Sequence, residues 1–261
     1  MLKKRLITTM LWNGSTLVKG HNFINSRRAG SAVTTIKIYN SRDVDEILFL
    51  DIVKTSIDRR FDYNLIRQLT DECNVPITIG GGIKKIYEIT DLLFAGADKI
   101  LINSEAYKNL NLVNEAAKKF GSQTIVVGID YKKQGNKYVC FSKSGEKKEN
   151  LDPIDWAKQC EDSGAGEIIL TSIDHDGLMN GYDLELLNNV SNKINLPVIA
   201  SGGAGNYQHF FQAFENGASA AAAASIYHFT EQTPNEAKRY LIEKNLPCLL
   251  YTSPSPRDAT L

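Results

Sequence analysis

Three carboxylates and two glycine-rich turns are the groups in this chain whose types and spacing can do chemistry. Asp130 closes the apolar run Thr124–Asp130, Asp51 closes Ile47–Ile52 but for one residue, and Asp176 lies in Ser172-Ile173-Asp174-His175-Asp176-Gly177. A carboxylate at the end of a buried strand is partly desolvated, so its proton becomes exchangeable near neutral pH and it can serve as a general acid or base. His175, in the same stretch, reads as a loop residue rather than a base.

The glycines suggest anion binding. Gly80-Gly81-Gly82 follows one apolar run and Gly202-Gly203 follows another, and in each case the next run ends in a small hydroxyl residue expected to begin a helix, Asn103-Ser104 and Ala224-Ser225. Glycine lets backbone N–H groups approach an oxyanion closely, and a helix N-terminus adds positive potential. Glycines that merely make tight turns are the competing explanation, but two matching copies at equivalent places argue for two cradles and a ligand with two phosphates.

These groups need a frame that brings strand ends together. Eight short apolar or β-branched runs (5–11, 47–52, 76–79, 99–102, 124–130, 167–171, 197–200 and 220–224) alternate with helix-length segments. Such alternation predicts parallel strands joined by right-handed crossovers, and at this length a single (β/α)8 TIM barrel, whose functional groups sit at the C-terminal strand ends. The stripes Leu65, Leu69, Cys73 and Leu112, Ala116, Phe120 mark core-facing helix sides. A repeat at an offset of about 121 residues, in which Gly80-Gly81-Gly82-Ile83 answers Gly202-Gly203-Ala204-Gly205 and Gly96-Ala97-Asp98 answers Gly217-Ala218-Ser219, divides the barrel into two (β/α)4 halves. Tyr131–Lys148 is too long for an ordinary loop and predicts a small hairpin around Lys137–Ser142 and Ser144-Gly145.

Thirty basic and thirty acidic side chains cancel, so no global field favours nucleic acid or an anionic membrane; the expected partners are a phosphorylated small molecule and protein. Cys73, Cys140, Cys160 and Cys248 have no metal-type spacing, and no apolar run near Met1 is long enough for a signal peptide or membrane span. The expectation is a cytoplasmic protein with buried, reduced cysteines and neither metal nor redox cofactor. At the other ends of the strands, Arg5, Glu46, Lys99 and Glu167 can form a ring of alternating charge or remain ordinary surface charges.

Leu50-Asp51-Ile52, Gly80-Gly81-Gly82-Ile83, Phe120-Gly121-Ser122-Gln123, Gly164-Ala165-Gly166-Glu167-Ile168, Thr171-Ser172-Ile173-Asp174, Asp176-Gly177, Gly181-Tyr182-Asp183 and Ala200-Ser201-Gly202-Gly203-Ala204-Gly205 together resemble the cyclase subunit of imidazole glycerol phosphate synthase, from Met1 to about Pro247. That resemblance implies a glutaminase docked on the N-terminal barrel face and ammonia passing through the barrel to a bisphosphorylated ribulosyl substrate. It implies further that Arg5, Glu46, Lys99 and Glu167 gate the ammonia and that Asp98 lies at the glutaminase interface. Gly82, Ser104, Gly177, Gly203, Ala224 and Ser225 match phosphate contacts, and Lys19 and Asp51 match substrate-side residues. Asn103, Thr171, Asp176, Ser201 and Gly202 complete the expected substrate wall.

One departure is chemical. The family pairs two catalytic aspartates across the mouth; Asp130 is one, but the first-strand position reads Met10-Leu11-Trp12-Asn13-Gly14, and Leu11 can neither donate nor accept a proton. Losing a general acid/base typically costs roughly 10²–10⁴-fold in rate. Lys148 stands where the family usually has an asparagine. A divergent branch associated with surface-polysaccharide synthesis is similar in its first strand and in Leu151-Asp152-Pro153-Ile154-Asp155-Trp156-Ala157-Lys158. In that branch the barrel is thought to deliver ammonia to a separate sugar amidotransferase. Two functions are therefore expected, ammonia delivery with cyclisation lost, or a working cyclase of histidine biosynthesis that relies on Asp130.

The barrel is expected over residues 1–247. The stretch from Cys248 through Pro254-Ser255-Pro256-Arg257-Asp258 resembles a translated sequencing adapter, so 248–261 is expected to be an artefactual, disordered tail.

Overall fold

The computed structural model describes residues 3–54 and 60–248. Eight parallel strands close on themselves: β1 (Arg5–Trp12), β4 (Glu46–Asp51), β5 (Ile77–Gly80), β6 (Lys99–Ile102), β7 (Ile125–Gln134), β10 (Glu167–Ser172), β11 (Val198–Ser201) and β12 (Ala220–Ala223). Pairing runs in chain order, β12 pairs back onto β1, and the β7–β10 contact joins the halves. The expected barrel is the fold, and its strands fall within a few residues of the expected runs.

The interior repeats the strand period of two. Ile7, Leu48, Leu101, Val126, Ile169, Ile199, Ala220 and Ala222 form an inner cluster separate from the larger one between strands and helices. Along β12, Ala220 and Ala222 belong to the inner set while Ala221 and Ala223 join the outer one.

The helices are α1 (Ala32–Ser41), α2 (Tyr63–Glu72), α3 (Ile86–Phe94), α4 (Asn111–Phe120), α5 (Pro153–Asp162), α6 (Leu184–Lys193), α7 (Tyr207–Glu215), α8 (Ser225–Phe229) and α9 (Pro234–Glu243). Side-chain caps start several of them: Asp152 accepts from Ile154 N–H with Pro153 behind it, and Asp183 accepts from Leu186 N–H. In α2 the fully buried positions are Ile66 and Leu69, with Leu65 turned partly outward, a small rotation from the expected stripe.

The remaining strands build the mouth. The expected hairpin forms as β8 (Lys137–Ser142) pairs antiparallel with an extension of β7, and β9 (Lys147–Lys148) adds an edge. A second hairpin was not foreseen: β2 (Leu17–His21) and β3 (Ile24–Gly30) pair antiparallel after β1 and turn at Asn22-Phe23, both at positive φ.

Two further expectations are corrected. Ser104 does not begin a helix; it opens a run of turns over 104–108, and α4 starts only at Asn111. Of the tail read from Cys248, that residue is buried and bridges to Lys4, while 249–261 lie outside the described residues. All four cysteines are free and buried. Among the described residues no helix is long and apolar enough to cross a membrane.

Candidate functional site

A cavity of about 380 Å³ opens at the C-terminal ends of the strands. Its wall gathers every residue expected to meet substrate or phosphate, from Lys19 and Asp51 through Asn103, Ser104 and Asp130 to Asp176, Ser201 and Ser225. Leu11 lies on the same wall.

Asp130 projects from β7, and its Oδ2 accepts a hydrogen bond from Asn103 Nδ2 at 2.8 Å. Burial pushes its carboxyl up to about 7, with the negative charge of Asp176 adding to the rise and hydrogen bonds from Asn103 and Thr171 opposing it. A group poised there can take or give a proton at neutral pH.

Lys19, on β2, forms an ion pair with Asp176, and both side chains are almost wholly removed from solvent. The unforeseen hairpin makes this pairing possible. Asn22 donates its N–H to Asp176 O at 2.8 Å and its Nδ2 to the carbonyls of Ile173 and Asp174, each at 2.9 Å, so the first half-barrel is stapled to the loop after β10.

The cradles repeat closely. At the offset of 121 the matching residues are Gly81 with Gly202 and Gly82 with Gly203, one position later than the motif pairing in the sequence. Gly81 has φ +110° and a Cβ there would lie 2.1 Å from Asp51 O; Gly202 has φ +85° and its Cβ would lie 2.6 Å from Ser172 O. Asp51 and Ser172 are themselves related by the same offset, so the tight approach is one design used twice. Asp51 Oδ1 accepts from Lys54 N–H at 3.0 Å and Val53 N–H at 3.3 Å, which fixes the loop beside the first cradle. Ser104 Oγ accepts from Lys143 N–H at 2.9 Å, tying the turn between β8 and β9 to that cradle. In the second cradle Ser225 does begin a helix, α8, directly after Ala224.

At the opposite end the four charges meet in a closed ring. Arg5 reaches Glu46 at 2.7 Å and Glu167 at 2.8 Å, and Lys99 reaches the same carboxylates at 3.1 and 3.2 Å. Thr78 Oγ1 adds a hydrogen bond to Glu46 at 2.9 Å. Asp98, just before Lys99, accepts from Ile77 N–H at 2.8 Å on the same face. The alternative of unrelated surface charges is thereby removed, since each glutamate is shared by both cations.

Lys54 adds a group that the sequence does not mark. It is 2% exposed and sits against the first cradle, but a lysine three residues after a strand ordinarily reads as solvated, and no sequence pattern marks it otherwise. Among the described residues no group of three or more His, Cys, Asp or Glu side chains could hold a metal.

The comparisons agree with this architecture. A model of the histidine biosynthesis protein family matches residues 11–233. The chain is 42% identical over 250 residues to the imidazole glycerol phosphate synthase subunit HisF of Thermococcus onnurineus, covering 96% of this chain and 99% of the relative. It is 43% identical over 251 residues to that of Dehalococcoides mccartyi, covering 96% and 99%, and 46% identical over 247 residues to that of Clostridium botulinum, covering 94% and 98%. A shared sequence at this level over nearly the whole barrel means that the chain belongs to the family of the imidazole glycerol phosphate synthase subunit HisF, among the histidine-biosynthesis barrels.

Proposed function

We propose that this barrel is an ammonia-delivering subunit that has given up cyclisation: it takes ammonia from a glutaminase docked on the ring face, near Asp98, and releases it at the phosphate-binding mouth to a surface-sugar amidotransferase. The observation that carries this reading is Leu11. It lines the cavity on the strand position equivalent to that of Asp130, leaving one carboxylate on this pair of positions where the family's chemistry uses two.

The rest of the barrel suits a conduit. Neutral ammonia crosses an apolar interior at far lower cost than ammonium, and the inner cluster is aliphatic, with only alanines contributed by β12. The ring of Arg5, Glu46, Lys99 and Glu167 closes the entrance, so passage requires an ion pair to open when the glutaminase binds. The barrel reading covers residues 1–247, and the adapter-like stretch from Cys248 is read as an artefact.

A working cyclase is the second reading. It is favoured by the carboxyl of Asp130, raised to about 7 as a general acid/base requires, and by both cradles being kept. Turnover of the bisphosphorylated ribulosyl substrate at high ammonium concentration separates the two. The delivery reading expects silence from the unaltered chain and activity gained in Leu11→Asp; turnover by the unaltered chain would establish the cyclase instead.

A further inference from the structure

The two cradles share a backbone but are braced differently. In the second, Gly203 O accepts from the backbone N–H of Gly181 at 2.8 Å, and Gly205 N–H donates to His209 Nδ1 at 3.1 Å. In the first, the matching carbonyl of Gly82 accepts from the ammonium of Lys54 at 2.7 Å, and the matching amide of Lys84 donates to Glu88 Oε2 at 2.8 Å. Lys54 also donates to Glu88 Oε1 at 2.8 Å and lies 4.4 Å from the centre of the Phe61 ring. One buried cation thus grips the turn into α3 at two points, where the second half-barrel uses a backbone amide and a neutral imidazole.

This bracing bears on anion binding. A carbonyl oxygen turned toward a bound phosphate repels it, and in a planar trans peptide the N–H of Ile83 must point opposite to the carbonyl of Gly82. Lys54 is absent from the cavity wall, whereas Gly82 and Ile83 are part of it. Drawing the Gly82 carbonyl toward Lys54 therefore turns it away from the ligand side and leaves the amide edge of the turn to face the anion. The carboxylate of Glu88, held by the same ammonium and by the amides of Lys84 and Lys85, is kept from adding negative charge to the cradle.

We propose that Lys54 is the positioning residue of the first phosphate cradle, setting its anion affinity through the Gly82 carbonyl and Glu88 without being part of the second. This rests on the reading of the mouth as a two-phosphate site. The test is titration of the full chain with inorganic phosphate, followed by the amide NMR signals of Gly82 and Ser104 for the first cradle and of Gly203 and Ser225 for the second. In Lys54→Met, loss of the charge-assisted hydrogen bonds should weaken the first cradle about tenfold or more. The second should be unchanged, and Lys54→Arg should restore most of the loss. Because Lys54→Met leaves Glu88 buried without its cation, Lys54→Met/Glu88→Gln provides a variant free of that unpaired charge, with the same split between cradles expected. Equal weakening of both cradles, or of neither, would overturn the assignment. No phosphate response at Gly82 in the unaltered chain would remove the cradle itself, and this role with it; that result is separable from cyclase turnover because it reads binding alone.

Discussion

Leu11 and Asp130 stand on the same rung of the two half-barrels. Trp12 pairs with Asp51 as Tyr131 pairs with Ser172, and one residue back Leu11 pairs with Leu50 as Asp130 pairs with Thr171. Since Asp51 and Ser172 are related by the repeat, strand register places Leu11 at the position that Asp130 holds in the other half, without recourse to motifs. The glutamates of the ring obey the same symmetry: Ile7 pairs with Glu46 as Val126 pairs with Glu167. The repeat is thus retained in the glutamates at the strand beginnings and broken at the strand ends, where Leu11 answers Asp130, the pattern that the proposed delivery role expects.

The raised carboxyl of Asp130 predicts a pH-dependent cost to the fold. Folding lifts its pKa from 3.8 to about 7, so the folded chain holds the proton longer than the unfolded chain does. The sign follows from linkage: this contribution to stability is fully present below about pH 4 and is lost as pH rises to about 7. Asp130→Asn cannot ionise and escapes the loss, so relative to the unaltered chain it should gain on the order of 2–4 kcal/mol between pH 4 and pH 8. Urea unfolding of both proteins across that range measures it. A stability difference that stays flat with pH would mean that Asp130 is not desolvated.

The ring predicts unequal partners. Removing Lys99 leaves both glutamates in contact with Arg5, whereas removing Arg5 leaves the 3%-exposed Glu46 with the Thr78 hydroxyl and the longer contacts from Lys99, its one remaining cation in the ring. Breaking a buried pair costs roughly 3–5 kcal/mol, so Arg5→Ala should approach that figure and Lys99→Ala should fall well below it in denaturant unfolding. With the glutaminase bound, Lys99→Ala and Glu167→Ala should each uncouple glutamine hydrolysis from amination. Tight coupling in both variants would exclude the ring as the ammonia entrance.

What was legible in the sequence follows from what leaves a pattern. The strands were readable because β-branched, apolar runs have few alternatives in an α/β chain, and Lys99–Ile102 was located to the residue. The tight turns at Gly81 and Gly202 were readable because a close backbone approach admits glycine almost alone. The β2–β3 hairpin was not, since its turn places Asn22 and Phe23 at positive φ with no glycine to announce it. Lys54 was hidden by its charge: burial of a lysine depends on partners as distant in sequence as Glu88, which no local pattern reveals. Ser104 misled because the hydroxyl after a strand resembles a helix cap, yet the amides that follow are taken by separate turns, with Ala106 N–H on Asn103 O and Asn109 N–H on Glu105 O.

The hairpin that the sequence concealed sets up the last prediction. Lys19 comes from β2 in the first half-barrel and Asp176 from the loop after β10 in the second, and their ion pair is buried beside Asp130. Lys19→Met leaves an unpaired carboxylate in that position and should destabilise the chain by roughly 3–5 kcal/mol. Asp176→Asn in the same protein removes the stranded charge, so the double variant should recover a large part of the loss and give a coupling well above the experimental error of a double-mutant cycle. The cycle also reports on Asp130: Asp176 contributes to its raised pKa, so Asp176→Asn should lower the midpoint of the Asp130 titration, followed by carboxyl NMR. Additive stabilities together with an unmoved midpoint would mean that Lys19, Asp176 and Asp130 do not form one electrostatic unit across the two halves of the barrel.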